Sequence, residues 1–519
     1  MGVPPSNPGR VVQDTLFARA ADVWPMLLST VHVTAAVVVT MHAVLGRRDV
    51  PAAIGWIGLA WLAPIIGSLV YLAFGINRLQ RAAQVLAYPP IVMRPPVTPR
   101  DRLAGFRRGD NSGTEFVEAA DAFAVDHPVL TALNARPELR GLMRLGESVT
   151  GNPLIPGNRI APLVDGDDAY PAMLAAITSA NRSIALLSYI FDADRVGRTF
   201  IDALVAARAR GVEVRVLVDD VGSRYSRPTI CSLLEDVGVR AAAFLPTRTA
   251  RVLRYANLRN HRKLLVVDGR VAFTGGMNIR EGHQLSLDPP SPVRCLHFVI
   301  EGPIIADMFR VFALDWAFTT GETLSGDAWA IDATPRGEVV MRGVPNGPDA
   351  DIENMPEMLL GALASARERV RIMTPYFLPD ARIRSALRVA AMRGVLVDII
   401  LPSRNNIPLM DWATTPQLEE LLEVGCHFWR TPAPFDHTKL FVIDGLWSLI
   451  GSTNWDPRSL RLNFEYNIEC YDQRLAAQLE ALAESRIVGA HREELTALHD
   501  RSFLVKLRDG VARLLSPYL

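Results

Sequence analysis

The chain carries one polar register twice. Asn260-His261-Arg262-Lys263 runs through the apolar stretch Leu264–Val267 to Asp268, then to Gly275-Gly276-Met277-Asn278. Asp436-His437-Thr438-Lys439 runs through Leu440–Ile443 to Asp444, then to Gly451-Ser452-Thr453-Asn454. Both copies read H-x-K-x4-D-x6-G-[GS]-x-N, with every interval equal. Four polar residue types in one repeated register, each beside an apolar run, imply two similar domains that can pair about a pseudo-twofold axis.

The flanking sequence repeats as well. In the first half a helix around Tyr170–Ala180 precedes a strand Ile184–Ile190, a helix through Ile201–Ala209 and the strand-like segment Arg210–Val218. In the second, a helix Met355–Ala366 precedes a strand Val370–Tyr376, a helix Ile383–Met392 and the strand-like segment Arg393–Ile400. Alternating strands and helices predict an α/β fold whose parallel or mixed sheets are covered on both faces. Within each motif, the apolar run predicts a buried strand, Asp-Gly a tight turn, and the following residues a second strand.

The spacing also constrains the chemistry. His261 and Lys263, like His437 and Lys439, are two apart, so on a strand they share a side. Gly276 and Ser452 let backbone approach a ligand closely, and Asn278 and Asn454 offer amide hydrogens. Each half thus supplies an imidazole, an ammonium and an amide, a set suited to a phosphodiester. One histidine can attack phosphorus while the other protonates the leaving alkoxide and then activates the incoming hydroxyl. Lysines and asparagines would stabilise charge on the equatorial oxygens. No carboxylate cluster with metal spacing accompanies the motifs, so neither a metal nor another cofactor is expected. Asp268 and Asp444 each precede a glycine, where a turn role competes with a supporting role in the site. His283 is expected in a loop. The cysteines Cys231, Cys295, Cys426 and Cys470 lie far apart and predict buried thiols.

Two further runs place this chemistry at a membrane. Val23–Leu45 and Pro51–Asn77 contain no charged residue, and each exceeds the roughly 20 residues of a membrane-crossing helix. His32 and His42 in the first run are assigned to helix packing. Arg10, Arg19, Arg78 and Arg81 outweigh Arg47 and Arg48 between the runs, which predicts cytoplasmic termini and catalytic domains. Formal net charge is zero, which does not suit a polynucleotide groove, so no nucleic-acid partner is expected. The expected layout is a polar, mobile tail over 1–22, a two-helix anchor over 23–77, a membrane-proximal connector over 78–150, α/β domains over 151–330 and 331–480, and a helical tail over 481–519. In that tail, Phe503, Leu504, Leu507, Val511, Leu514 and Leu515 fall on one helical face. That face is expected to pack on the protein, with membrane contact as the alternative.

These residues resemble the phospholipase D superfamily, whose signature is two such histidine-lysine-aspartate motifs. More narrowly, the chain is similar to the bacterial cardiolipin synthases. The similarity covers almost everything from about residue 23 onward. It includes Tyr71–Gly75, Arg259–Lys263, Glu301-Gly302-Pro303, Thr374–Asp380, Arg458-Ser459, Leu462–Glu465 and Leu514–Leu519. The resemblance implies two tandem phospholipase D-like domains behind two transmembrane helices. It also implies a membrane-bound phosphatidyltransferase that makes cardiolipin from two phosphatidylglycerol molecules through a phosphatidyl-histidine on His261. Rival readings are a phospholipase D that passes the intermediate to water, and a non-catalytic lipid-binding membrane protein. One departure stands out. Where the family has Trp-Arg-Asp-Thr-His, this chain has Val293-Arg294-Cys295-Leu296-His297. By sequence His297 is aligned with Glu465, which is expected beside the second motif and able to hold an imidazole.

Overall fold

The structure, a computed structural model, describes residues 8–45, 50–72, 136–246, 257–349 and 351–516. Residues 46–49 between the two apolar runs, the end of the second run from residue 73, and the connector up to residue 135 lie outside them. The chain divides into two compact units, Met1–Arg81 and Ala82–Leu519.

In the first unit a helix spans Pro8–Leu45, so residues 8–22, expected as a mobile tail, are helical. Proline is tolerated in a first helical turn because the amide it lacks would have no partner there. The second apolar run is not one helix. It forms Val50–Leu62 and then Ile66–Val70. The break falls at Pro64, which has no amide to donate, and at Ile65, whose φ is 61°. Among the described residues only Trp24–Leu45 is long and apolar enough to cross a membrane, and Ala52–Leu62 is shorter. Ala36, Val39 and Ala43 pack against Ala60 and Tyr71. His42 Nδ1 shares a 2.7 Å hydrogen bond with the Tyr71 hydroxyl, and the Ile65 amide donates to His32 Nδ1 at 3.3 Å. Both histidines therefore serve helix packing, as expected.

The second unit is built on a 16-stranded mixed sheet. The first half of the unit contributes β1 (Ile155–Val164), β2 (Ser183–Ser188), β3 (Glu213–Asp219), β4 (Arg240–Phe244), β5 (Arg259–Asn260), β6 (Leu264–Val267), β7 (Val271–Gly275), β8 (Val293–Arg294) and β9 (Leu296–Glu301). The second half contributes β10 (Val339–Asn346), β11 (Arg369–Met373), β12 (Leu396–Pro402), β13 (His427–Thr431), β14 (Phe435–Asp436), β15 (Leu440–Ile443), β16 (Trp447–Gly451), β17 (Asn463–Tyr471) and β18 (His491–Arg492); β8 and β14 pair in a separate two-stranded sheet, and the other strands make up the sixteen. From the centre outward one side reads β1-β9-β7-β6-β2-β3-β4, and the other reads β10-β17-β16-β15-β11-β12-β13. The order is a palindrome about the antiparallel β1–β10 pair, as a duplicated domain with pseudo-twofold pairing requires.

Each half follows the expected α/β pattern. The β2–β3 and β11–β12 pairs are parallel, and their crossover helices are Arg195–Ala209 and Ala381–Met392. The carboxylates of Asp194 and Asp380 cap these helices by accepting from the Gly197 and Ile383 amides. Each motif then forms an antiparallel hairpin, β6–β7 and β15–β16. Its tight turn has positive φ at both Asp268 and Gly269, and at both Asp444 and Gly445.

Two expected boundaries shift. The helix Pro137–Thr150, assigned to the connector, sends Leu139, Leu142 and Met143 into the core of the second half. The helix Gln473–Ile487 runs through the boundary set at 480, and β18 beyond it pairs with β13. In both cases apolar residues close a sheet face formed by distant strands, which local sequence does not reveal.

Candidate active site

The site forms where the two halves exchange short strands. β5, which leads into His261, pairs with the start of β17, Arg259 opposite Asn463 and Asn260 opposite Phe464. β14, which leads into His437, pairs with β8, Phe435 opposite Val293 and Asp436 opposite Arg294. The His261 amide donates to the Phe464 carbonyl at 2.8 Å, and the His437 amide donates to the Arg294 carbonyl at 2.7 Å. Each histidine is thus anchored by the opposite half, and the two imidazole centroids lie 6.4 Å apart.

The lysines join them from the same strand side. Lys263 Nζ donates to the His261 carbonyl at 2.6 Å, and Lys439 Nζ donates to the His437 carbonyl at 2.7 Å. All four side chains are buried. Burial drives the His261 imidazole down to about 4, with Glu465 resisting and Lys263 adding to the drop. Burial, then Lys439 and Lys263, push His437 well below the ordinary histidine value. The ammoniums are lowered too, Lys263 to about 7 and Lys439 to about 8, chiefly by burial. Two neutral imidazoles beside two strained cations make a concentrated, desolvated receptor for an anion.

The exchange of strands also fixes which residues correspond. Asn463 and Phe464 match Val293 and Arg294, so Glu465 matches Cys295. In register with the glycine strands, Gly275 faces His297 and Gly451 faces Asn467. The alignment of His297 with Glu465 expected from sequence is therefore corrected: His297 matches Asn467. The loop from Asn278 to β8 is longer than the one from Asn454 to β17, so counting residues forward from the motifs misplaces the pairing.

This correspondence exposes an asymmetry. Glu465 is fully buried, and its Oε2 lies 3.0 Å from His261 Nδ1. Burial alone would raise its carboxyl, but His261 and Lys263 more than offset this and hold it below the ordinary value. At Cys295 there is no carboxylate. The thiol is directed to the His437 carbonyl at 3.4 Å, and burial pushes it up to about 12. His437 Nδ1 instead meets the Gly276 carbonyl at 3.0 Å. Gly276 must be glycine here, since a Cβ would stand 2.7 Å from Cys295 Sγ and 3.0 Å from the His437 carbonyl.

The other expected residues divide. The Asn278 Oδ1 accepts from the Ile190 amide at 3.1 Å, whereas Asn454 Nδ2 donates to the Ser459 hydroxyl at 3.1 Å. Ser452 Oγ accepts from the Tyr466 amide at 3.0 Å beneath Glu465. Asp268 and Asp444 do not join the cluster. Asp268 accepts from the Asn181, Arg182 and Ser183 amides, and Asp444 from the Arg367, Glu368 and Arg369 amides. Their carboxylates clamp the start of β2 and of β11, a structural role.

Some neighbours were not singled out from sequence. Tyr189 lies with its ring centroid 4.9 Å from that of His261, and Tyr376 is 6.4 Å from His437. Arg262 pairs with buried Asp315 at 2.7 Å and donates to the Glu465 carbonyl, bracing that strand. His283, expected in a loop, is buried, with its ring 6.4 Å from His437. The tyrosines end apolar strands, where an aromatic signals little; Asp315 lies on a helix with no local mark of its partner.

A family description, "Cardiolipin synthase, PLD-like domain", matches residues 173–285 and 359–487, which are the two halves that carry the motifs. Cardiolipin synthase A of Pseudomonas putida (strain GB-1) is 32% identical over 95% of this chain and 98% of its own length. The chain belongs to the cardiolipin synthase family. The major cardiolipin synthase ClsA of Bacillus subtilis (strain 168) is 28% identical over 91% of this chain and 95% of its own. Among solved structures, phosphatidylserine synthase of Haemophilus influenzae Rd KW20 shares the fold, with a TM-score of 0.55 and 15% identity over 73% of this chain and all of that one. Membership of the cardiolipin synthase family makes the chain an enzyme of the phospholipase D superfamily. It also gives the Cys295 position meaning: the aspartate expected in the family's Trp-Arg-Asp-Thr-His segment would stand where Glu465 stands in the other half.

Proposed function

We propose that this chain is a membrane-bound phosphatidyltransferase that makes cardiolipin from two phosphatidylglycerol molecules and releases glycerol. The observation that carries the reading is the pair of imidazoles 6.4 Å apart, each with its own buried lysine. That spacing lets one phosphorus lie between two Nε2 atoms, in line for attack from one side and departure on the other.

His261 is the nucleophile in this scheme. With Nδ1–H donated to Glu465, its Nε2 lone pair is free to attack phosphorus. The P–O bond to glycerol breaks as the P–N bond forms, and His437 delivers its Nε2 proton to the departing glycerol oxygen. Attack leaves a positive phosphatidyl-imidazole, which the Glu465 carboxylate stabilises; His437 has no such partner. Free His437 is neutral near pH 7, and an arriving anionic phosphate favours the proton it needs. The glycerol hydroxyl of a second phosphatidylglycerol then gives its proton to His437 as its oxygen attacks phosphorus and the P–N bond breaks. Lys263, Lys439, Asn278 and Asn454, with the backbone at Gly276 and Ser452, hold the equatorial oxygens. Asp268 and Asp444 support the hairpins that carry these groups.

The N-terminal helices anchor this chemistry beside its substrates. We read Val23–Leu45 and the broken second run as two membrane segments, with the catalytic domains on the cytoplasmic side. Labelled phosphatidylglycerol assayed in membranes tests the scheme: His261→Ala and His437→Ala should each abolish cardiolipin, and a phosphate-32 label should be trapped on His261. Cardiolipin at wild-type yield in either variant defeats the proposal, and phosphatidic acid without cardiolipin from the wild type would establish the hydrolase instead.

A further inference from the structure

The helix Phe503–Leu514 is amphipathic in the direction opposite to the one expected. Its inner face packs Ala512 against Leu378, Met410 and Ala413. The buried Asp509 carboxylate holds Arg501 and Arg508, and Arg508 lies 4.5 Å from the centroid of the Trp412 ring. These contacts seat the helix on its polar and small-residue side. The apolar side is left uncovered: Phe503 is 75% exposed, Leu504 74%, Val511 54% and Leu514 76%, with Leu507 between them at 52%. Packing on the protein, the sequence-based expectation, is therefore corrected.

The flanks of this face are basic. At 100° per residue, Lys506 and Arg513 fall along one border of the apolar stripe and Arg508 along the other. All three are exposed. An apolar stripe between cationic borders is the pattern of a helix lying in the headgroup region of an anionic bilayer. The helix that carries the stripe also borders the site through its inner face. Ala512 shares a small apolar cluster with Leu378 and the partly buried Tyr376, and the Tyr376 ring is 6.4 Å from that of His437.

We propose that the helix Phe503–Leu514 is a second membrane contact, which docks on anionic phospholipid and sets the His437 side of the site at headgroup depth. Phe503, Leu504, Leu507, Val511 and Leu514 enter the acyl boundary while Lys506 and Arg513 meet lipid phosphates; Arg508, held by Asp509 and the Trp412 ring, keeps the helix seated. The inference rests on the reading that the substrate is a membrane lipid.

The four cysteines are buried, so a fluorophore can be attached selectively to a Leu507→Cys variant of the full chain. The labelled protein is reconstituted in phosphatidylcholine vesicles with and without phosphatidylglycerol. In vesicles containing phosphatidylglycerol, quenchers carried on lipid tails should extinguish the label and aqueous iodide should not. A label on a Glu235→Cys variant, elsewhere on the exposed surface, should show the reverse. Replacing Lys506 and Arg513 by Glu should weaken the lipid quenching. Leu504→Asp with Leu507→Asp should lower kcat/KM for vesicle phosphatidylglycerol by about tenfold or more, with thermal unfolding unchanged and with full activity toward short-chain phosphatidylglycerol in detergent. Iodide quenching at position 507 overturns the proposal. Protection from both quenchers with a doubled particle mass also overturns it, in favour of a second copy of the chain. The quenching does not depend on catalysis, so it stands or falls separately from the synthase reading.

Discussion

Glu465→Gln tests the asymmetry of the two half-sites most directly. The substitution keeps shape and a hydrogen-bond acceptor beside His261 Nδ1 but removes the charge. In the wild type the carboxylate is 3.0 Å from that nitrogen and fully buried. Attack on phosphorus turns a neutral ring into a cation, so the charge of Glu465 acts on the intermediate and its transition state far more than on the free enzyme. Two unit charges about 4 Å apart interact by roughly 4 kcal/mol at an effective dielectric of about 20. A neutral hydrogen bond to glutamine recovers about 1 kcal/mol. The net loss of about 3 kcal/mol corresponds to roughly a hundredfold in rate. The expected result is a kcat about a hundredfold lower, KM changed by less than about threefold, and slower appearance of the trapped phosphate label. Removing the carboxylate also lowers the His261 pKa further below its present value of about 4, so the profile above pH 5 should not move on its account. A purified, normally folded variant with kcat near wild type, or a loss confined to KM, would refute the assignment of Glu465 as the partner of the reacting imidazole.

Further outcomes follow from the same geometry. Cys295→Asp places a carboxylate where the other half has Glu465; it should raise the proton affinity of His437 and move the acid limb of transfer to the second lipid upward by about one pH unit, and an unchanged profile would sever position 295 from His437. The free enzyme holds its ammonium protons weakly, Lys263 at about 7 and Lys439 at about 8. Raising pH through this window removes the charges that receive phosphate, so kcat/KM should fall on the alkaline side while kcat, read with the anion bound, falls later; a kcat/KM flat to about pH 9 would contradict this. Asp268→Ala and Asp444→Ala each strip acceptors from three backbone amides and should each cost about 3–5 kcal/mol of stability in chemical denaturation. The molecules that remain folded should turn over within about tenfold of wild type, whereas a catalytic aspartate would lose kcat at unchanged stability.

The sequence by itself determined the duplicated α/β frame and the reacting groups. Both were legible because they rest on local spacing. A two-residue interval puts His261 and Lys263 on one side of a strand, and Asp268-Gly269 closes a hairpin whatever surrounds it. The apolar character of Trp24–Leu45 was equally local. Tertiary structure decided what depends on partners far away in the chain. The direction of the Asp268 and Asp444 carboxylates, toward the amides that open β2 and β11, follows from strand order. The match of Cys295 to Glu465 follows from reciprocal pairing of β5 with β17 and β14 with β8, which unequal loops conceal in the sequence. The helical face of Phe503–Leu514 was visible as a period, but a period does not say what covers it. Only the packed protein shows that Ala512 and Asp509 turn inward and leave the leucines outside, because burial is a property of the neighbours a fold brings and not of the residues alone.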